Sequence, residues 1–244
     1  MQVKPDLDGL SHAAVELLIE LSRQAIGVRG SFSMALSGGS TPRYLYSLLA
    51  SPKYRSTIEW EAVKLFIGDE RNVAPDAPES NYRMVKEILT NPLGISSERV
   101  TRWNTELDWV EKVASEYEGD LIRRLGEQTR LDVALLGLGT DGHTASLFPR
   151  TAALSETERL TVANWVEGLN DYRFTMTLPM INRAANVIFL AAGRDKAKTV
   201  ANVIDGRFQP DVLPAQGVKP TCGNLYWMLD ESAAQCLDRA KHKF

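Results

Sequence analysis

Asp132-Val133-Ala134-Leu135-Leu136-Gly137-Leu138-Gly139 is the stretch on which the fold turns. It is strand-length and continuously apolar between the acid and the glycines. That is the pattern of a strand covered on both faces, which places it centrally in a parallel sheet. Two similar runs precede it, FSMAL at 32–36 and VKLFIG at 63–68. Helical spacing fills the intervals. Leu10, Ala14, Leu17, Leu18, Leu21 and Ala25 recur before the stop signals Gly27 and Gly30. Pro42 sits in a first helical turn continued by Tyr44, Leu45, Leu48 and Leu49. Tyr82, Val85, Ile88 and Leu89 share a face over 81–90, and Val110, Val113, Tyr117, Leu121 and Leu125 mark a further helix. Beyond the central run, strands are predicted at 160–163, 173–178, 186–192 and 224–229, with a helix at 195–205. Strands alternating with helices imply right-handed crossovers and an α/β fold: a doubly wound, Rossmann-like, mostly parallel sheet flanked by helices. No linker, low-complexity segment or repeat interrupts residues 1–244, so a single domain is expected.

Composition narrows the function. Hydrophobic residues make up 44% and charged residues 24% of 244 residues, and the formal net charge is -3. No Lys/Arg run of five or more occurs, which argues against a nucleic-acid surface and for a small anion met by local donors. No stretch reaches the roughly 18 apolar residues of a membrane span. The start, MQVKPDLDGL, lacks the pattern of a signal peptide. Cys222 and Cys236 fit no zinc or redox spacing, so reduced thiols in a cytoplasmic protein are expected.

Ligands of open α/β sheets bind outside the carboxyl ends of the strands, and three loops leave such ends here. The first is Ser37-Gly38-Gly39-Ser40-Thr41-Pro42. Its glycines allow close backbone approach, and the following helix offers unpaired N–H groups, as in a phosphate cradle without a Walker lysine. A helix-capping turn is the plainer alternative. The second, Gly68-Asp69-Glu70-Arg71, sets two carboxylates and a guanidinium after an apolar strand; a solvated local ion pair is its alternative. The third runs from Gly137 through Thr140-Asp141-Gly142-His143 to Phe148-Pro149 and contains GxGxxG. Dinucleotide binding is disfavoured, because Pro149 leaves no room for a full helix and Glu158 precedes the next strand instead of ending it. His143, at a strand end beside Asp141, is a candidate base for water, against the plainer role of a structural loop histidine. His12 and His242 read as surface residues, and the three histidines form no metal-ligand set. Arg173 and Lys196, with Arg43 and Arg194 as alternatives, are candidate anion contacts that sequence does not rank.

Taken together, LSGGSTP at 36–42, IGDERNVAPDAPESNY at 67–82, LLGLGTDGHTASLFP at 135–149, RFTMTLPMIN at 173–182, AAGRDKA at 191–197, LPAQGVKP and LYWMLDESAA resemble the 6-phosphogluconolactonase family over nearly the whole chain. The resemblance implies an α/β fold related to glucosamine-6-phosphate deaminases and hydrolysis of the phosphosugar lactone of the pentose phosphate pathway. It implies that His143 is the catalytic histidine and Arg71 an active-site arginine, that Arg173 and Lys196 contact the substrate phosphate, and that residues 37–41 form part of the cradle. A proline that often precedes the RxT segment in the family is absent; Leu169, Asn170 and Asp171 stand there. The deaminase branch resembles DGHIAFNEP in the histidine loop, whereas Phe148 stands here just before the proline, which favours hydrolysis.

The mechanism expected has His143 deprotonating a water that attacks the lactone carbonyl while Asp141 orients the imidazole. Arg71 or loop N–H groups would stabilise the oxyanion, and Ser37, Gly38, Gly39, Ser40, Thr41, Asp69, Glu70, Arg173 and Lys196 would bind substrate. No GxSxG elbow is present, so direct water attack is preferred to an acyl-enzyme. No metal or cofactor is called for. The partner is a small phosphosugar lactone, with monomer and dimer both left open. A sugar-phosphate sensor of the same fold is the non-enzymatic alternative; the single helix before residue 30 leaves no room for the helix-turn-helix of such regulators.

Overall fold

The computed structural model describes residues 1–238 and 240–242. The chain opens with strand β1 (Gln2–Lys4) and helix α1 (Leu7–Arg29). Asp6 caps α1 by accepting from the Gly9 N–H at 2.8 Å, and Gly30 ends it in the left-handed region at φ 69°. Leu10, Ala14, Val15 and Leu18 form its buried stripe. Then follow β2 (Phe32–Leu36), α2 (Ser40–Leu49), β3 (Val63–Ile67) and the three-residue β4 (Asp69–Arg71). The helix predicted over 81–90 is α3 (Asn81–Val85) running through a π turn (Lys86–Thr90) into the short α4 (Asn91–Leu93). Pro92 explains the widening: it cannot donate to the carbonyl four residues back and its ring crowds that group, so the Asn91 N–H bonds Lys86 O instead.

The second half comprises β5 (Val100–Thr101), α5 (Val110–Leu125), β6 (Val133–Gly137), β7 (Thr161–Val166), β8 (Asp171–Met176), α6 (Leu178–Asn182), β9 (Asn186–Ala191), α7 (Ala197–Ile204), β10 (Asn224–Asp230) and α8 (Glu231–Ala234). Seven strands form the main sheet in the order β1-β10-β9-β6-β2-β3-β5. Every neighbouring pair is parallel, with Leu135 opposite Ile188 and Met34 opposite Val133 at the centre. The doubly wound, mostly parallel sheet is thus present, with β6 central and buried as its composition requires. One apolar cluster, from Leu10 to Leu237, surrounds it.

Three features differ from expectation. The edge strands β1 and β5 are too short to stand out by periodicity. The strands predicted at 160–163 and 173–178 do not join the main sheet; β7 and β8 pair antiparallel and, with β4, form a separate sheet in the order β4-β8-β7. His12 and His242, expected on the surface, are half-buried and paired. His12 Nδ1 lies 2.7 Å from the Tyr54 hydroxyl, and His242 Nε2 lies 2.7 Å from Asp205. Among the described residues, no helix is long and apolar enough to cross a membrane.

Candidate active site

The crossover from β2 leads outward to β3, while the one from β6 leads the opposite way to β9. Between β2 and β6 the winding reverses, and the loops there part to leave a crevice. A cleft of about 220 Å³ opens at this point. It is bounded by residues 37–42 after β2, Asp69 and Arg71 of β4, Gly137–Gly139 and His143 after β6, Leu190–Ala192 at the end of β9, and Lys196.

Residues 37–41 turn tightly into α2. The buried Tyr46 hydroxyl accepts from the Ser37 N–H and donates to the Ser37 carbonyl, both at 2.9 Å, which fixes the start of the turn. Gly39, at φ 102°, is the N-cap of α2, and no side chain caps that helix. The serines and threonine therefore do not act as caps, and the first-turn N–H groups stay open toward the cleft, as an anion requires. Gly38 must lack a side chain because a Cβ there would lie 1.9 Å from Asn81 Oδ1.

β4 sorts the acidic pair by face, since successive strand residues point opposite ways. Asp69 and Arg71 line the cleft; Glu70 does not. Glu70 is corrected from substrate contact to a fastener of the following segment. Its carboxylate accepts from the N–H groups of Arg71, Asn81 and Tyr82 at 2.8–2.9 Å and from the Ser80 hydroxyl at 3.0 Å. Burial pushes its carboxyl upward, against those bonds. Asp69 is likewise raised by burial, which the Ser146 hydroxyl donating at 2.8 Å and the charges of Arg71, His143 and Arg173 only partly offset. Arg71 spends Nη1 on Glu79 O, at 2.9 Å, and on Asn81 Oδ1. Its fork has five donors, so further N–H groups remain for a ligand.

The loop after β6 is folded upon itself. The Thr144 hydroxyl donates to Gly137 O at 2.8 Å, the Gly139 N–H to His143 O at 2.8 Å, and Gly142 turns at φ 85°. No helix follows these glycines, so the dinucleotide arrangement is absent. Gly139 serves a different end: a Cβ there would lie 2.2 Å from His143 Nδ1 and 2.6 Å from Asp141 Oδ1. The imidazole and its carboxylate occupy that space. His143 Nδ1 and Asp141 Oδ1 are 2.6 Å apart, and the same oxygen accepts the His143 backbone N–H at 3.1 Å. With the Nδ1 proton given to Asp141, Nε2 is left as the basic atom. Burial acts to raise the Asp141 carboxyl, but its bond to His143 and that ring's charge outweigh it, and the net shift is downward. Phe148 lies against the imidazole at a centroid distance of 4.3 Å.

Among the four cations considered, only Lys196 lines the cleft. Arg173 lies opposite Arg71 in the β4–β8 pair but is held by Asp171 at 2.7 Å, and Arg43 and Arg194 are exposed. Asp171 is one of the residues standing where a proline was expected, so this tether follows from that departure. Asn81, Tyr46 and Ser146 were not singled out from sequence; Asn81 ends the polar stretch that begins with Asp69-Glu70-Arg71. Among the described residues, no group of three or more histidines, cysteines and acids is placed to hold a metal.

The family model of glucosamine-6-phosphate isomerases/6-phosphogluconolactonase matches residues 5–227. The chain belongs to this family. It is similar to a 6-phosphogluconolactonase of a Synechocystis strain, 38% identical over 218 residues covering 88% of each chain. A 6-phosphogluconolactonase of a Nostoc strain is 37% identical, with 96% of each chain covered. Among solved structures, 6-phosphogluconolactonase from Trypanosoma cruzi matches with a TM-score of 0.84 at 30% identity, covering 96% of this chain and 97% of that one. As a member of the glucosamine-6-phosphate isomerase/6-phosphogluconolactonase family, the chain carries its cleft where the sheet reverses its winding.

Proposed function

We infer that this chain hydrolyses 6-phospho-D-glucono-1,5-lactone to 6-phosphogluconate, in the pentose phosphate pathway, with water activated by His143. The observation that carries the catalytic part is the His143–Asp141 pair, 2.6 Å apart at a cleft wall that faces the uncapped turn at 37–41. Nε2 of His143 takes a proton from water as its oxygen bonds to the lactone carbonyl carbon. The carbonyl oxygen gains the electron pair, and the free donors of Arg71 are suited to that charge. Collapse of the adduct breaks the bond to the ring oxygen, which takes the proton back from His143. The N–H groups of residues 38–41 and the Lys196 ammonium supply an anion site for the phosphate, whose binding orients the ring for attack. Phe148 beside the imidazole leaves a carbon ring where a deaminase-type acid would be needed, which favours hydrolysis. The reading includes one catalytic domain, a cytoplasmic location and no cofactor.

His143→Ala tests it. Turnover of freshly generated phosphorylated lactone, measured above spontaneous hydrolysis, is expected to fall by roughly 10²–10⁴ with the fold intact. Near-normal turnover in that variant would remove His143 from the mechanism.

A further inference from the structure

Asn81 belongs to none of the roles assigned above, yet three parts of the site meet on its side chain. Its Nδ2 donates to the Asp69 carbonyl at 2.8 Å, and its Oδ1 accepts from Arg71 Nη1. The amide also lies across Gly38, where a Cβ would come within 1.9 Å of Oδ1, 2.5 Å of Cγ and 2.8 Å of Nδ2. Only 2% of the residue is exposed, so the amide is held between these neighbours and lines the cleft without moving freely.

We propose that Asn81 is a positioning residue whose amide holds the Arg71 guanidinium in register with the glycine turn, so that the charge-stabilising and phosphate-binding ends of the cleft keep a fixed separation. The proposal rests on the lactonase reading for its catalytic consequence, though not for its geometry. An arginine side chain has many rotamers, and Glu79 O alone constrains a single nitrogen. Asn81 adds a second acceptor on that nitrogen and is itself braced by the β4 backbone, so the guanidinium plane is fixed. The backbone of Asn81 does not depend on its amide. Its N–H is held by Glu70 at 2.8 Å, and Ser80 caps α3 by accepting from Arg83 at 3.1 Å. Truncating the amide therefore leaves α3 anchored.

The test is a double-mutant cycle with a structural readout beside it. Asn81→Ala is expected to lower kcat by about 10–100-fold, the scale of a misplaced catalytic group. In Arg71→Ala the same truncation is expected to add almost nothing, because Asn81 acts through the guanidinium. Losses that multiply across the two sites would overturn the proposal. Independently of activity, 15N relaxation of the Arg71 Nε is expected to show an ordered side chain in the wild type and a mobile one in Asn81→Ala. An Arg71 equally ordered without the amide overturns the proposal. If the wild type fails to accelerate lactone hydrolysis, the lactonase reading falls, and the relaxation data still decide the role of Asn81.

Discussion

Burying Asp69 at the cleft, with 8% of its surface left to solvent, costs its ionised form hydration that one serine hydroxyl and nearby cations only partly replace. The folded chain therefore holds a proton at this carboxyl above the ordinary pKa of 3.8. Between that value and the raised one the native state binds more protons than the unfolded state, so stability falls as pH rises through this window. The contribution is fully present below 3.8 and lost above the raised pKa. Asp69→Asn removes the titration. The unfolding midpoint of the wild type relative to Asp69→Asn is expected to be most favourable near about pH 4 and to decline as the pH rises. Glu70, raised for the same reason, is common to both proteins and cancels in the difference. Thermal unfolding across that range checks this, and a difference that grows with pH contradicts it. The three letters Asp-Glu-Arg did not reveal which of them faces the ligand, because the stretch read as a loop. Once it is a strand, alternation alone puts Asp69 and Arg71 together and Glu70 opposite.

The histidine loop is the element where sequence pattern and physical cause part company. GxGxxG suggested a phosphate-binding turn, yet Gly139 is required by what sits against it and Gly142 by its φ of 85° with Leu213 packed alongside. Its likeness to a known family identified the loop, while spacing alone disfavoured a dinucleotide and left His143 between a catalytic and a structural role. The loop is tied to itself by the Thr144–Gly137 and Gly139–His143 bonds and to β4 by the Ser146 hydroxyl, which donates to Asp69 at 2.8 Å. With such rigid walls the loop has little freedom to absorb an added methyl group. Gly139→Ala is expected to displace the imidazole and lower kcat by at least about 100-fold, while costing about 1–3 kcal/mol of stability through overpacking. Kinetics and denaturant unfolding of the same preparation check both parts. Wild-type turnover in Gly139→Ala would mean that the ring is not held where the geometry puts it.

At the scale of the whole molecule, the main sheet was legible because its inner strands are predominantly apolar, and the second sheet was not. β7 and β8 carry strand-like sequences, but nothing in a strand's own residues states which neighbour it pairs with, and β4 offers only three residues to complete the sheet. The same limit left four cations unranked. Folding separates them: Lys196, in the loop after β9, lines the cleft, while Arg173 is paired with Asp171 and does not line it. Lys196 and His143 then stand on loops that follow adjacent strands, β9 and β6; on the proposed reading a phosphosugar spanning them is bound at one end and attacked at the other. Lys196→Met keeps the apolar stem and removes the charge. It is expected to raise KM for the phosphorylated lactone by about tenfold or more, the loss of one charge-assisted hydrogen bond. Unphosphorylated gluconolactone has no group for the ammonium to hold, so its turnover is expected to stay unchanged. Steady-state kinetics on the two lactones side by side measure the difference. Equal losses on both would show that Lys196 acts on the sugar ring or on the chemistry, and no loss on either would place the phosphate at another cation.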